Sequence, residues 1–186
     1  MLRTYKIAIL SLLTLFWCNI LHAQTPVDVV SPNYITMKIE GHNLEIPYYR
    51  NYSLSDVNQI VNRAVVVIHG TDRNADDYYE RILDPAKTAN GADRTTIIVA
   101  PQFLREIDIE AHNLPDSVLF WNSAGWKKGD KSLTTNEHPR PARISSFAVV
   151  DTIFNRLASK NPNLQMIVLA GHSAGGQFVN RFAAGS

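Results

Sequence analysis

Three short segments of this chain are apolar at nearly every position: Ala64-Val65-Val66-Val67-Ile68, Thr96 to Ala100, and Leu164 to Ala170. A strand apolar on both sides predicts burial in a parallel sheet covered on both faces. Between them the period changes. Asn74 to Thr88 reads as a helix, with Asp76 and Asp77 near its start, where the helix dipole favours acids, and with Pro85 disturbing its last turn. Ile144 to Ser159 carries Phe147, Val150, Phe154 and Leu157 at helical spacing, which predicts an amphipathic helix. Gln177 to Ala184 begins another helix. Upstream, Ile35, Met37 and Ile39 alternate with polar residues over Tyr34 to Glu40, the pattern of a half-exposed strand. Gly41-His42-Asn43 turns the chain, and Leu44 to Arg50 is the hairpin partner. Gln102 to about Pro141 is a long stretch with no clear period. The order of elements predicts an α/β fold, a mostly parallel sheet with helices on both faces and an antiparallel leading hairpin.

The first 23 residues stand apart. Arg3 and Lys6 precede an uncharged apolar run from Ile7 to Ile20, and Leu21-His22-Ala23 ends on a small residue. This is the layout of a secretory signal peptide cleaved after Ala23, and the run is short for the ~20 residues of a membrane span. The expected organisation is a signal over 1–23, a linker over 24–33 and one domain over 34–186. The expected location is secreted or periplasmic, with no stable membrane anchor after cleavage. Cys18 is the single cysteine and leaves with the signal, which excludes disulfides and thiol chemistry from the mature chain. Loss of Arg3 and Lys6 takes the formal charge from +1 to −1, so nothing in the charge favours nucleic acid. Asn51-Tyr52-Ser53 matches a glycosylation acceptor, a pattern common by chance.

The chemistry lies in Gly171-His172-Ser173-Ala174-Gly175, a G-x-S-x-G pentapeptide with an apolar strand before it and a helix after it. A serine on so sharp a strand-to-helix turn occupies a strained backbone conformation. Small residues must flank it two positions away, and Gly171 and Gly175 do. The helix start leaves N–H groups without partners beside the hydroxyl. Acyl transfer requires such donors, because the tetrahedral intermediate carries an oxyanion. Ala174 is one candidate donor. The second is expected from the loop after the first buried strand, His69-Gly70-Thr71, with Thr71 the candidate and Asp72 the fallback. Gly70 lets the backbone approach a substrate closely.

With these two motifs, about a hundred residues apart, the chain from about Ile35 onward resembles the α/β-hydrolase superfamily, in particular the N-terminal part of a secreted esterase or lipase-like serine hydrolase. The resemblance implies Ser173 as nucleophile, an oxyanion hole from Thr71 and Ala174, an elbow formed by Gly171, His172 and Gly175, a carboxylic-ester substrate and no cofactor. It also implies an acid and then a histidine after the serine. The thirteen residues after Ser173 contain no Asp, Glu or His. The chain is therefore expected to be a fragment that lacks both partners and is inactive alone. The upstream candidates for a base are His69, His112, His138 and His172, with Asp72, Asp108, Asp116 or Asp151 as the acid, all poorly suited by position.

Other readings compete. Gly171 and Gly176 have P-loop spacing, but Gln177 stands where the lysine belongs. Asp72 to Leu83 starts like a calcium loop but has Asp77 for the glycine and Leu83 for the glutamate, so no metal is expected. Trp121 and Trp126 either line a substrate face or anchor the long loop. Lys127, Lys128 and Lys131 read as a solvated loop, and Asp151 as a surface residue. The alternatives to an esterase are a peptidase or thioesterase of the same fold, or a non-catalytic binding protein.

Overall fold

The computed structural model describes residues 25–185. The expected signal peptide, Cys18 and Gln24 lie outside them. Among the described residues, no helix is long and apolar enough to cross a membrane.

Five strands form one sheet in the order β1-β2-β4-β3-β5. β1 (Tyr34–Ile39) and β2 (His42–Arg50) make the leading hairpin. Its turn is Glu40-Gly41, both at positive φ (50° and 88°), as a tight two-residue connection requires. The turn thus sits one step earlier than the sequence pattern suggested, and His42 and Asn43 already pair with Ile39 and Lys38. The end of β2 then pairs antiparallel with β4 (Thr96–Pro101). β3 (Arg63–Ile68) lies between β4 and β5 (Met166–Gly171), parallel to both. Two pairings are antiparallel and two are parallel, so the sheet is mixed and the expected mostly parallel sheet is corrected. The cause is the length of β2: its last three residues, Tyr48 to Arg50, run past the hairpin and become part of the central sheet.

Strand alternation divides the core between two faces. Ala64, Val66 and Ile68 of β3 point toward α3 (Ser146–Lys160) and α4 (Ala174–Gly185), while Val67 and Ala100 pack with Ala75, Tyr78, Tyr79 and Ile82 of α1 (Ala75–Thr88). α1 continues through Pro85 to Thr88. Ser145 caps α3 by accepting the Phe147 N–H at 3.1 Å. Val149, Val150, Ile153 and Leu157 form the buried stripe of α3, and Phe147 and Phe154 meet Phe178 and Phe182 of α4 edge to face.

β5 departs from its predicted burial. Ile167 and Leu169 pack on the main core, but Met166 (51% exposed) and Val168 (41%) face solvent. β5 is the edge strand, and α1 packs on β2, β3 and β4 on that side, leaving the outer face of β5 bare.

The irregular stretch 102–141 contains one helix that periodicity did not reveal, α2 (Glu106–Ala111). At six residues it is too short to show a period, and its third residue is a fully buried Asp108. That carboxylate accepts four hydrogen bonds: Arg73 Nε at 2.8 Å, Arg73 Nη2 at 3.1 Å, the Arg105 N–H at 2.7 Å and the Val27 N–H at 2.9 Å. The segment expected to be a linker is consequently a strap. Val27 and Ser31 are buried, Thr25 and Val27 bond to Arg73, Asp108 and His112, and Ser31 bonds to Gln102 and Tyr48. Asn51, the nominal glycosylation acceptor, uses its amide to hold Thr96 and Ile98 of β4.

Asp108→Ala leaves the Arg73 guanidinium buried without its counter-charge, so it is expected to destabilise the fold by about 3–5 kcal/mol. Urea unfolding of the two proteins measures this, and a loss under about 1 kcal/mol, the range of exposed pairs, would contradict the burial described.

Candidate active site

β5 ends at Gly171 and α4 starts at Ala174, so only His172 and Ser173 make the reversal. Ser173 has φ 57°, in the left-handed region where a residue with a Cβ pays about 1–3 kcal/mol. The turn is held by Gly175 N–H donating to the His172 carbonyl (2.9 Å) and Gln177 N–H donating to that of Ser173 (3.1 Å).

The two flanking glycines are steric necessities. A Cβ at Gly175 would stand 2.1 Å from the Ile68 carbonyl oxygen and 2.8 Å from that of His69. A Cβ at Gly171 would stand 2.5 Å from the carbonyl of Gly175. All of these obstacles are backbone. The elbow therefore closes on itself and also docks, main chain to main chain, on the end of β3.

That end carries the loop His69 to Asn74. His69 is fully buried, and its two ring nitrogens are both used. Nε2 accepts the Phe103 N–H at 2.9 Å, so Nδ1 carries the hydrogen and donates to the Gly70 carbonyl at 2.8 Å. Burial holds its pKa down to about 4, with Arg73 acting the same way against the opposing pull of the Gly70 carbonyl and Asp108. The ring is neutral at pH 7 and braces the loop. Trp126 (ring centroids 4.8 Å apart) and Phe103 (6.0 Å) close over it.

Thr71, Asp72, Tyr78 and Arg81 line one side of a cavity of about 460 Å³, and His172 and Ser173 line the other. Both His172 and Ser173 are exposed. Ala174 is buried directly behind the serine as the first residue of α4, where its N–H has no helical acceptor. Burial raises the pKa of the Tyr78 phenol above its ordinary value, so it stays protonated beside Gly70.

Of the residues singled out from the sequence, Gly70, Thr71, His172 and Ser173 line this one cavity. His69, Ala174, Gly171 and Gly175 support it from behind. Trp121 and Trp126 do not line it. Each is 1% exposed; Trp126 stacks on Phe103 and Phe178 and Trp121 meets Phe103 edge to face, so the substrate-lining reading is corrected to packing. Both belong there because indoles in a long loop supply the apolar area that fixes it. His112 and His138 are half-buried: His112 Nε2 is bonded to the Val27 carbonyl, and His138 lies 3.7 Å from Glu110. Asp108, a candidate acid for an upstream triad, is instead the buried partner of Arg73, and Arg73, Tyr78 and Arg81 were not anticipated. Arg73 is flanked by Asp72 and Asn74, which gives it the local pattern of a solvated turn, and only its partner 35 residues away reveals it as buried. Among the described residues, no cluster of three or more candidate metal ligands occurs.

No protein-family model matches the chain, and no curated protein matches it by sequence. Two solved structures are similar. One is poly(aspartic acid) hydrolase-1 from Sphingomonas sp. KT-1, at 25% identity and TM-score 0.47, aligned over 82% of this chain and 51% of that one. The other is the siderophore hydrolase EstB from Aspergillus nidulans, at 15% identity and TM-score 0.41, over 85% and 53%. Both neighbours are hydrolases, and the chain spans about half the length of each.

The state of His69 predicts a pH dependence of stability. Its pKa is depressed in the folded protein, so its contribution is complete above about pH 6.5 and is lost as pH falls toward 4. Between pH 7 and pH 5 the loss amounts to about 2 kcal/mol. Urea titrations of the wild type and His69→Gln at both pH values read it as a component present only in the wild type. Equal slopes in the two proteins would show that His69 is not held neutral.

Proposed function

We propose that this protein is a serine hydrolase of carboxylic esters, with Ser173 forming an acyl-enzyme. The observation that carries the reading is the serine at φ 57° on an elbow with steric room only for glycine at 171 and 175, opening into a cavity shared with the 69–72 loop. Strain of this kind persists where the surrounding structure imposes it, and here it lifts one hydroxyl out of the sheet.

In the proposed reaction a base removes the Ser173 Oγ proton as Oγ attacks the ester carbonyl carbon. The carbonyl oxygen becomes an oxyanion, accepted by the Ala174 N–H and by an N–H of the Thr71-Asp72 pair. Collapse breaks the bond to the alcohol, which leaves with the proton held by the base. Water then attacks the acyl-serine by the same route, releasing the acid and restoring Oγ–H.

The base is assigned to a histidine beyond Ser186, oriented by a carboxylate also beyond it. Support comes from the four candidate histidines upstream. His69 is buried with both nitrogens engaged, and His112 and His138 have partners elsewhere. His172 adjoins the serine on a turn where neighbouring side chains diverge. The bare outer face of β5, with Met166 and Val168 exposed, is further support, since additional chain packed there would cover it. The proposal extends to a secreted or periplasmic location and a small or polymeric ester substrate. Peptidase or thioesterase chemistry would use the same groups.

A fluorophosphonate probe tests this on the protein expressed from its complete reading frame. The expected result is a single adduct on the peptide containing Ser173, absent in Ser173→Ala. An unlabelled but folded protein would favour the binding-protein alternative instead.

A further inference from the structure

The loop facing Ser173 is held by a side chain that never reaches the cavity. Arg73 is 1% exposed and has φ 61°. Its guanidinium donates in three directions: to both oxygens of Asp108, to the Thr25 carbonyl at 2.6 Å, and through Nη1 to the Thr71 carbonyl at 3.2 Å. Its own N–H donates to the Gly70 carbonyl at 3.3 Å, the oxygen that His69 Nδ1 also contacts. Its carbonyl accepts from Gln102 Nε2 at 3.0 Å.

These bonds determine where two N–H groups point. Every described peptide is trans, so the C=O and N–H of one peptide unit point in opposite directions. The Gly70 carbonyl is drawn inward by His69 and Arg73, which turns the Thr71 N–H outward. The Thr71 carbonyl is drawn inward by the Arg73 guanidinium, which turns the Asp72 N–H outward as well. Among the described residues, neither N–H has an acceptor. Two successive N–H groups on one side of a loop form a concave anion-binding nest, and this one borders the cavity of Ser173.

We infer that Arg73 is a positioning residue for the oxyanion site, acting through the Thr71 carbonyl to aim the Thr71 and Asp72 N–H groups at the cavity. The inference rests on the ester-hydrolase reading for its kinetic consequence, but not for the geometry of the loop. Lysine cannot replace arginine here. A single ammonium can keep the pairing with Asp108 but cannot span Asp108, Thr25 and Thr71 with a rigid fork.

The test uses Arg73→Lys and the double variant Arg73→Met with Asp108→Leu, which leaves no unpaired buried charge. Asn161→Ala, which removes a buried cap bond at the far end of α3, serves as a destabilised control. For ester hydrolysis by the complete protein, both Arg73 variants are expected to lose about 100-fold in kcat with KM little changed, as a displaced catalytic contact does. The control should keep its kcat. Amide hydrogen exchange of residue 73, whose N–H donates to the Gly70 carbonyl, is read in parallel, and should quicken in both Arg73 variants while β3 amides stay protected. Wild-type kcat in either Arg73 variant would overturn the positioning role. Unchanged exchange at residue 73 would overturn it even if no ester is hydrolysed. Faster exchange in a protein that never hydrolyses esters would uphold the loop assignment and refute the proposed function.

Discussion

The structure around the candidate site depends on one close approach between main chains. The Ile68 carbonyl at the end of β3 passes where a side chain at residue 175 would stand, 2.1 Å from a Cβ built there. The loop that faces the serine follows β3, and the serine sits on the turn that leads into α4. With the two backbones in contact, the distance between Ser173 and the 69–72 loop is set by main-chain sterics, which tolerate little variation. The same contact imposes the positive φ of Ser173, since the chain must turn from β5 into α4 without clearance for a wider loop.

Behind that approach lies a buried polar scaffold. His69, Arg73, Asp108 and Gln102 are each enclosed, and their hydrogen bonds satisfy one another or the main chain. Buried polar groups are costly unless paired, and a fully paired network defines one arrangement of the loops it joins. Here it joins three: the strap over 25–31, the 69–74 loop and the N-terminus of α2. The buried aromatic layer of Phe103, Trp121, Trp126 and Phe178 covers its inner side. The cavity beside Ser173 is thus open toward solvent and rigid from behind.

The elements that were legible in the sequence are those defined by local pattern. The unbroken apolar run 64–68, the helical spacing of 144–159 and the glycines at 171 and 175 each carry their physical cause within a few residues. What was missed depends on partners far along the chain. Arg73 and Asp108 look like solvated charges until they are seen 35 residues apart in one ion pair. The mixed character of the sheet follows from β2 reaching β4, which no pattern within β2 announces. β5 was expected to be buried because its residues are apolar, yet apolarity does not say whether a covering element is present. The tryptophans illustrate the same point, since a loop rich in indoles is equally suited to a binding face or to a core. Their centroid contacts with His69 and Phe103 decide for the core.

The central claim is that Ser173 and the N–H groups of Ala174 and the 71–72 peptide converge on one reacting centre. A crystal structure of the phosphonylated protein tests it most directly. The account predicts phosphorus on Ser173 Oγ, with its free oxygen within about 2.7–3.1 Å of the Ala174 N–H and of an N–H from Thr71 or Asp72. A phosphonyl oxygen turned to solvent, or phosphorus on a different side chain, would contradict it.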